Sequence, residues 1–463
     1  MIVPDSADIL VVGGGFSGLM AAVFAAREGR RVRVLSRGQG ALAVGGGTID
    51  LLGYVPGRAA AVRAPFSAME ALGADHPYRL AGIPMVRQAL DGFLQMCLAA
   101  GYPYEMEGGA EAPRNRRLLT SIGAMKPSCA VPSSMSMQGA EAAEEVLVVG
   151  IEGLKDFFPR LAVPGIARYL KGNVIPVLLR CPEKLAPMLE VGGKSVPSRD
   201  VSTLDVANML EERDGRAWFV DRLRRHPAFA RLRGKRGMIL LPPVLGTKPL
   251  PDVQKALTEA LGCPVFELVA PPPGVTGLRL RALLMAELRR LGVDLVMNAF
   301  VVRPEYTPGR SGAMHVAAVQ VESGGRLRRC EASAFIMATG GIYGDGIEVT
   351  PSAVRDRVFG EAAPVSSALK PVDAGWSEPA AYPDFAAGYS HAFARLGTRV
   401  GADFRPVTEN GLVTLENVFY AGRALGGHDP AAEKSGNGVA LVSAFACAVH
   451  ACRVCPAGSA PQQ

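Results

Sequence analysis

Hydrophobic positions along the chain fall into short runs that end in glycine turns. Residues 9–12 form an unbroken apolar run, too short for a helix, which predicts a buried strand. It ends in Gly13-Gly14-Gly15-Phe16-Ser17-Gly18, followed by an apolar helical pattern over 19–27 and a second β-branched run over 32–35. Residues 86–100 carry helical spacing, with Leu90, Phe93, Leu94 and Leu98 on one side. Residues 146–157 predict a strand running into a helix across Gly150 and Gly153. Residues 213–231 predict a helix, and 238–246 a buried strand leading into a loop. A proline run, Pro271-Pro272-Pro273, is a rigid lead-in to a helix reaching about Leu291. Strands are predicted over 293–298, 316–322 and 328–337. A last strand ends at Gly422, before a glycine-led helix starting near Gly438. Strands alternating with helices predict an α/β fold.

The first turn carries chemistry. Strand, Gly13-x-Gly15-x-x-Gly18, helix and strand is the Rossmann-like context of a nucleotide-binding fingerprint. Gly13 allows the tight turn, Gly15 lets a phosphate approach the backbone, and Gly18 lets the helix sit close to the sheet. The helix N-terminus offers free N–H groups to an anion. Ser36 and Arg37 stand where such folds end the second strand in an acid for the adenosine ribose. Three readings follow: an adenosine held differently, an arginine meeting a phosphate, or a mononucleotide. Gly38, then Gly45-Gly46-Gly47-Thr48, suggest a second wall where backbone approaches a ligand. Two later motifs repeat the theme. An apolar strand ends in Ala338-Thr339-Gly340-Gly341, and Gly422-Arg423 precedes Ser435-Gly436-Asn437-Gly438 at a helix start. In flavoproteins these positions lie beside the pyrophosphate and at the pyrimidine edge of the ring, so the three together predict a flavin site. The candidate cofactor-binding residues are therefore Gly13, Gly14, Gly15, Ser17, Gly18, Ser36, Arg37, Gly38, Gly45, Gly46, Gly47, Thr48, Thr339, Gly340, Gly341, Gly422, Arg423, Gly436, Asn437 and Gly438.

The predicted fold is a Rossmann-like FAD/NAD(P)-type flavoprotein α/β fold with an inserted α/β region. Residues 1–55 and 330–455 are assigned to a discontinuous flavin-binding domain. Residues 56–329 are assigned to an insertion facing substrate or partner that also contains returning elements of the nucleotide domain, and 456–463 to a flexible tail. A length of 463 residues accommodates two or three such units, and 49% apolar residues suffice for packed cores. The formal charge of +7 comes from scattered arginines with no basic block among aromatics, which argues against nucleic acid and for small anionic ligands. Neither a signal peptide nor a spanning helix is predicted; the windows near 11–26 and 439–452 are glycine-broken or too short. Eight cysteines without regular spacing suit a reducing cytoplasm. Cys452-x-x-Cys455 lacks a second pair, so no metal site is predicted. His76, in the turn Asp75-His76-Pro77-Tyr78, is a weak ligand-contact candidate against the simpler expectation of an exposed turn.

Six motifs occurring in order resemble one family. They are Arg37-Gly-Gln-x-Ala-Leu, Gly47-Thr-x-Asp-Leu-Leu, His76-Pro-Tyr, Val148-Val-Gly-Ile-x-Gly-Leu-x-Asp-Phe157, Pro272-Pro-x-x-x-Gly-x-Arg279 and Leu425-Gly-Gly-x-Asp-Pro430. Together they resemble the B subunit of the bacterial anaerobic glycerol-3-phosphate dehydrogenase, from the N-terminus to about residue 450. The resemblance implies the fumarate reductase/succinate dehydrogenase-like superfold, with FMN as cofactor and FAD as the alternative. It implies oxidation of sn-glycerol 3-phosphate to dihydroxyacetone phosphate in a respiratory complex passing electrons toward quinone. A second flavoprotein subunit and an iron–sulfur membrane-anchor subunit are the implied partners, leaving this chain cytoplasmic and peripherally held at the inner membrane. Ser36 agrees with a mononucleotide whose phosphate meets Arg37 or Arg423. Arg423 departs from the Asp often found there in the wider flavoprotein class.

Oxidation at C2 requires a base for the hydroxyl proton and a cation for the phosphate. His428, in the loop before the glycine-led helix, is the best-placed base, and His391 a weaker one. Arg279, near a helix start, is a candidate anion contact, as are Arg423 and Lys434. None of these forms a recognisable triad. Three further readings stay open: an electron-relay flavin subunit whose substrate is oxidised on a partner, a succinate/fumarate-type dehydrogenase, and a non-catalytic scaffold that has lost flavin.

Overall fold

In the computed structural model, residues 5–271, 274–350, 353–366, 371–372, 375–376 and 392–455 are described. The chain opens with strand β1 (Asp5–Val12), helix α1 (Phe16–Arg27) and strand β2 (Val32–Ser36). The helix begins one turn earlier than the apolar pattern suggests, because Gly15 serves as its N-cap. Helix α2 (Pro77–Ala99) is interrupted at Gly82, two residues before Pro84.

A second body follows, built on strands β3 (Glu145–Ile151), β4 (Asn173–Leu179), β5 (Gly237–Leu241) and β6 (Val265–Glu267). They form a parallel sheet in the order β6-β5-β3-β4, with a hydrophobic core drawn from residues between Leu119 and Leu268. The helix expected over 213–231 ends at Arg225, because Pro227 drives His226 into extended backbone and a short 3-10 turn follows.

The chain then returns to the first body through helix α3 (Val275–Arg290) and strands β7 (Asp294–Met297), β8 (Ala299–Pro308), β9 (Met314–Ser323) and β10 (Arg326–Met337). Strand β11 (Val418–Tyr420) and helix α4 (Gly436–Val454) complete it. The large sheet has the order β7-β2-β1-β10-β9-β8, with β11 also paired to β10. Strands β7, β2, β1, β10 and β11 are parallel, whereas β8, β9 and β10 are antiparallel. Both α2 and residues 280–321 contribute to this first core. The second core spans 119–268, inside the expected region 56–329, and the elements that return to the first body begin at α3.

Helix α4 is long and apolar enough to cross a membrane by length and composition, unlike the sequence expectation. It is mostly buried, packed on α1, α2 and the sheet, which is the place of a helix apolar all round. The parallel pairing sends the carboxyl ends of β1, β2, β10 and β11 to one edge, where a doubly wound sheet binds ligands.

Candidate functional site

Two of the four strand ends at that edge, those of β1 and β10, are built to touch one another. Gly13 has φ +124°, and a Cβ there would lie 2.1 Å from the Ala338 carbonyl oxygen. A Cβ on Gly18 would lie 1.9 Å from the Gly13 carbonyl oxygen. These two glycines thus weld β1, α1 and the end of β10 together. Gly15 is different: a Cβ there would meet nothing within 4 Å. It faces a cavity of about 940 Å³.

The cavity is lined by Gly13, Gly14, Gly15, Ser17, Ser36, Arg37, Gly38 and Gly45 from the first βαβ unit and its loop. Thr339, Gly340, Arg423, His428, Gly436 and Asn437 line the facing side. Gly436 and Asn437 are the first residues of α4, so its N-terminal dipole points into the same space. The volume lies at the upper end of the roughly 300–1,000 Å³ usual for cofactor sites, room for a dinucleotide. Glycine backbone on two sides and a helix N-terminus on a third fit a flavin's phosphates and ring.

Seven expected contacts stand behind this lining. Besides Gly18, Gly422 is packed so that a Cβ would strike Ser17 Oγ at 2.3 Å, and Gly341 so that it would strike the Arg423 carbonyl at 2.5 Å. The Gly438 N–H donates to the Asp50 carbonyl. The Gly46 carbonyl accepts from Thr276 Oγ1, and Gly47 abuts the Thr276 backbone. Thr48 Oγ1 donates to Asp50 and accepts from Lys126, while its carbonyl accepts from Asn437. These residues hold the loops in place and are one layer removed from the cavity.

Ser36 and Arg37 reach the cavity with their polar groups already engaged. Ser36 is buried, and its Oγ donates to the Gly38 carbonyl at 2.6 Å. Arg37 Nη1 donates to Asp345 Oδ2 at 2.5 Å, and the guanidinium stands 5.2 Å from the centre of the Phe300 ring. Asp345 is shared with Arg357, so two arginines meet one carboxylate at this place.

Another part of the lining has the reverse character. His428 is buried, and its Nδ1 has no hydrogen-bond partner among the described residues. Burial pushes its imidazole down to about 3, against the pull of Glu433, with Arg423 and His76 adding to the effect. The ring is neutral at physiological pH. Arg423 Nη1 is also buried without a partner among the described residues, and its guanidinium lies 5.7 Å from the centre of the Tyr343 ring. Burial lowers the Arg423 pKa as well.

Beneath them, His76 is buried rather than exposed as its turn suggests. Its Nδ1 accepts from the Tyr78 N–H, so its Nε2 donates to Glu433 Oε2 at 3.1 Å. Glu433 also accepts from the Asp429 N–H and Ser435 Oγ. Burial opposes its ionisation, yet these hydrogen bonds, His76 foremost, hold its carboxyl below the usual range. Sequence reasoning misses Glu433: it is one acid in a short polar stretch, and only folding sets it against His76.

One candidate catalytic residue is elsewhere. Arg279 is fully buried and bound to Glu267 by two 2.7 Å contacts, with Nε donating to the Gly246 carbonyl, so it does not line the cavity. Its helix-start position suggested an anion site, but the anion is a protein carboxylate. His391 lies outside the described residues. Lys434 has φ +52° at the end of a short helix and does not line the cavity. Among the described residues no group of three or more His, Cys, Asp or Glu is placed to hold a metal.

Comparison with known proteins agrees with a flavin site. A family described as FAD binding domain matches residues 8–439, which indicates FAD in place of the expected FMN. A probable B subunit of anaerobic glycerol-3-phosphate dehydrogenase from Halobacterium salinarum is 30% identical over 455 residues, covering 95% of this chain and 96% of that protein. The B subunit of anaerobic glycerol-3-phosphate dehydrogenase from Vibrio vulnificus is 25% identical over 445 residues, covering 95% and 94%. Among solved structures, the open conformation of a flavocytochrome c3 fumarate reductase is similar with a TM-score of 0.41 and 9% identity, covering 97% of this chain and 79% of that one.

Proposed function

Because the chain belongs to the FAD binding domain family and to the B-subunit family of anaerobic glycerol-3-phosphate dehydrogenase, we propose that it is an FAD-dependent dehydrogenase subunit that oxidises sn-glycerol 3-phosphate on its own flavin. The product is dihydroxyacetone phosphate. The observation that carries this reading is that Arg423 and His428, whose Nη1 and Nδ1 are buried without partners among the described residues, both line one cavity. Buried polar atoms left unpaired cost stability, and a ligand bearing both an anion and a hydroxyl relieves both.

When bound, the flavin supplies acceptance of the two electrons that leave with the C2 hydrogen. The chain's own residues do the rest. Arg423 binds the substrate phosphate. His428, neutral and stripped of water, takes the C2 hydroxyl proton at Nδ1 as the C–H bond breaks and the carbonyl forms. Phosphate binding also offsets the Arg423 charge, one of the causes that hold the imidazole's pKa down, so substrate raises the basicity of its own base. Glu433 and His76 anchor the loop that presents His428. Electrons then pass toward quinone through partner subunits; the relatives' names, each that of one subunit, support an assembly. The resemblance names those partners as a second flavoprotein and an iron–sulfur membrane anchor, which would hold this chain peripherally at the membrane.

The test is to purify the chain, identify the released flavin by chromatography, and add sn-glycerol 3-phosphate without oxygen. Bleaching of the flavin band of this chain alone is expected. Bleaching only after a partner subunit is added would replace this reading with an electron relay, and a chain that takes up no flavin would end both.

A further inference from the structure

The position that a dinucleotide fold uses to hold the adenosine ribose is Ser36, and its hydroxyl is committed to the Gly38 carbonyl. A carboxylate nevertheless stands at that end of the cavity. Asp345 lines it from the loop after β10, and its Oδ2 lies 2.5 Å from Nη1 of Arg37, the neighbour of Ser36. Arg357 reaches the other oxygen, Oδ1. A carboxylate offers about four lone-pair sites, so one arginine on each oxygen leaves about half of them. The side chain is 41% exposed, so those sites are accessible to a ligand. The Arg357 guanidinium, with Arg37, keeps the Asp345 pKa below the usual carboxylate range.

We infer that Asp345 takes the place of the missing strand-end acid and accepts the hydrogen bonds of the FAD adenosine ribose hydroxyls. Arg37 is then a positioning residue: held between Asp345 and the Phe300 ring, it orients the carboxylate. The acid stands on the loop that follows β10 instead of at the end of β2. This rests on the FAD reading above, since FMN has no adenosine.

Affinities of the deflavinated full-length chain for FAD and for FMN, read by flavin fluorescence, test it in wild type, Asp345→Asn and Asp345→Ala. Loss of hydrogen bonds to a charged acceptor predicts FAD binding weakened about 10-fold or more, with FMN binding changed less than about two-fold. Unchanged FAD affinity would overturn the inference. An equal loss for both flavins would also overturn it, because Asp345 would then serve only to order the loop. A wild-type chain that prefers FMN defeats the cofactor reading itself, and that result is seen before any variant is made.

Discussion

Arg279 and Glu267 meet in a doubly hydrogen-bonded ion pair, both contacts 2.7 Å long and both side chains out of water. The pair joins α3, which belongs to the first core, to the end of β6 in the second. Glu267 is saturated further by the Leu245 N–H and Ser134 Oγ. Breaking one side of such a pair strands a buried charge, which typically costs about 3–5 kcal/mol. Arg279→Met is therefore expected to destabilise the chain by about that much in urea unfolding. Arg279→Lys should recover only part of the loss, because an ammonium cannot match the two-pronged geometry.

Gly15 and Gly18 separate binding from folding. A Cβ at Gly18 would collide with the Gly13 backbone, so Gly18→Ala should cost about 1–3 kcal/mol in stability. Gly15 has φ −80°, open to any residue, and free space around it. Gly15→Ala should leave the unfolding of the flavin-free chain within about 0.5 kcal/mol of wild type. Its flavin affinity should fall about 10-fold or more, if the phosphates approach this backbone as the fingerprint implies.

Arg423 and His428 have distinct kinetic signatures under the proposed reaction. Arg423→Ala should chiefly raise KM for sn-glycerol 3-phosphate. His428→Asn should lower kcat by about 10²–10⁴-fold with a smaller change in KM. Steady-state assays with an artificial electron acceptor distinguish these outcomes. Equal KM effects from both variants would mean that His428 only helps bind substrate.

The pH dependence of stability contains two opposing contributions. His428 has a folded pKa of about 3 against an ordinary value near 6.5, so between these values the unfolded chain binds the extra proton. Its contribution is present above about pH 6.5 and is lost as pH falls toward 3. Asp356 behaves oppositely. Burial raises it to about 6, opposed by the Phe359 and Val358 N–H groups and the Tyr420 hydroxyl, so its contribution is present below about pH 4 and lost as pH rises through 6. From pH 4 to pH 6.5 the thermal stability of Asp356→Asn should rise more with pH than that of wild type, and the stability of His428→Asn should fall with pH relative to wild type. A pH profile unmoved by either substitution would contradict both assignments.

The first βαβ unit was legible because its evidence is local. An apolar run, a glycine spacing and a helical pattern each follow from neighbours a few residues apart, and their backbone geometry follows from the same positions. The presence of a flavin site was legible for a similar reason, since three glycine motifs at strand ends each report a close backbone approach. Tertiary structure decided what the side chains do. Arg279, Ser36, Arg37 and His76 all looked available in sequence. Folding gave each a partner 12, 2, 308 and 357 residues away, and for the buried Arg279, Ser36 and His76 the reason is that a buried polar group must be satisfied. Arg423 and His428 became notable only by contrast, as buried groups whose polar atoms Nη1 and Nδ1 found no partner among the described residues. Which residues of 56–329 enter the second core was likewise hidden, because strands of the two sheets carry the same apolar signature. Which core a strand enters is set by its pairing partners, and those lie far away in sequence.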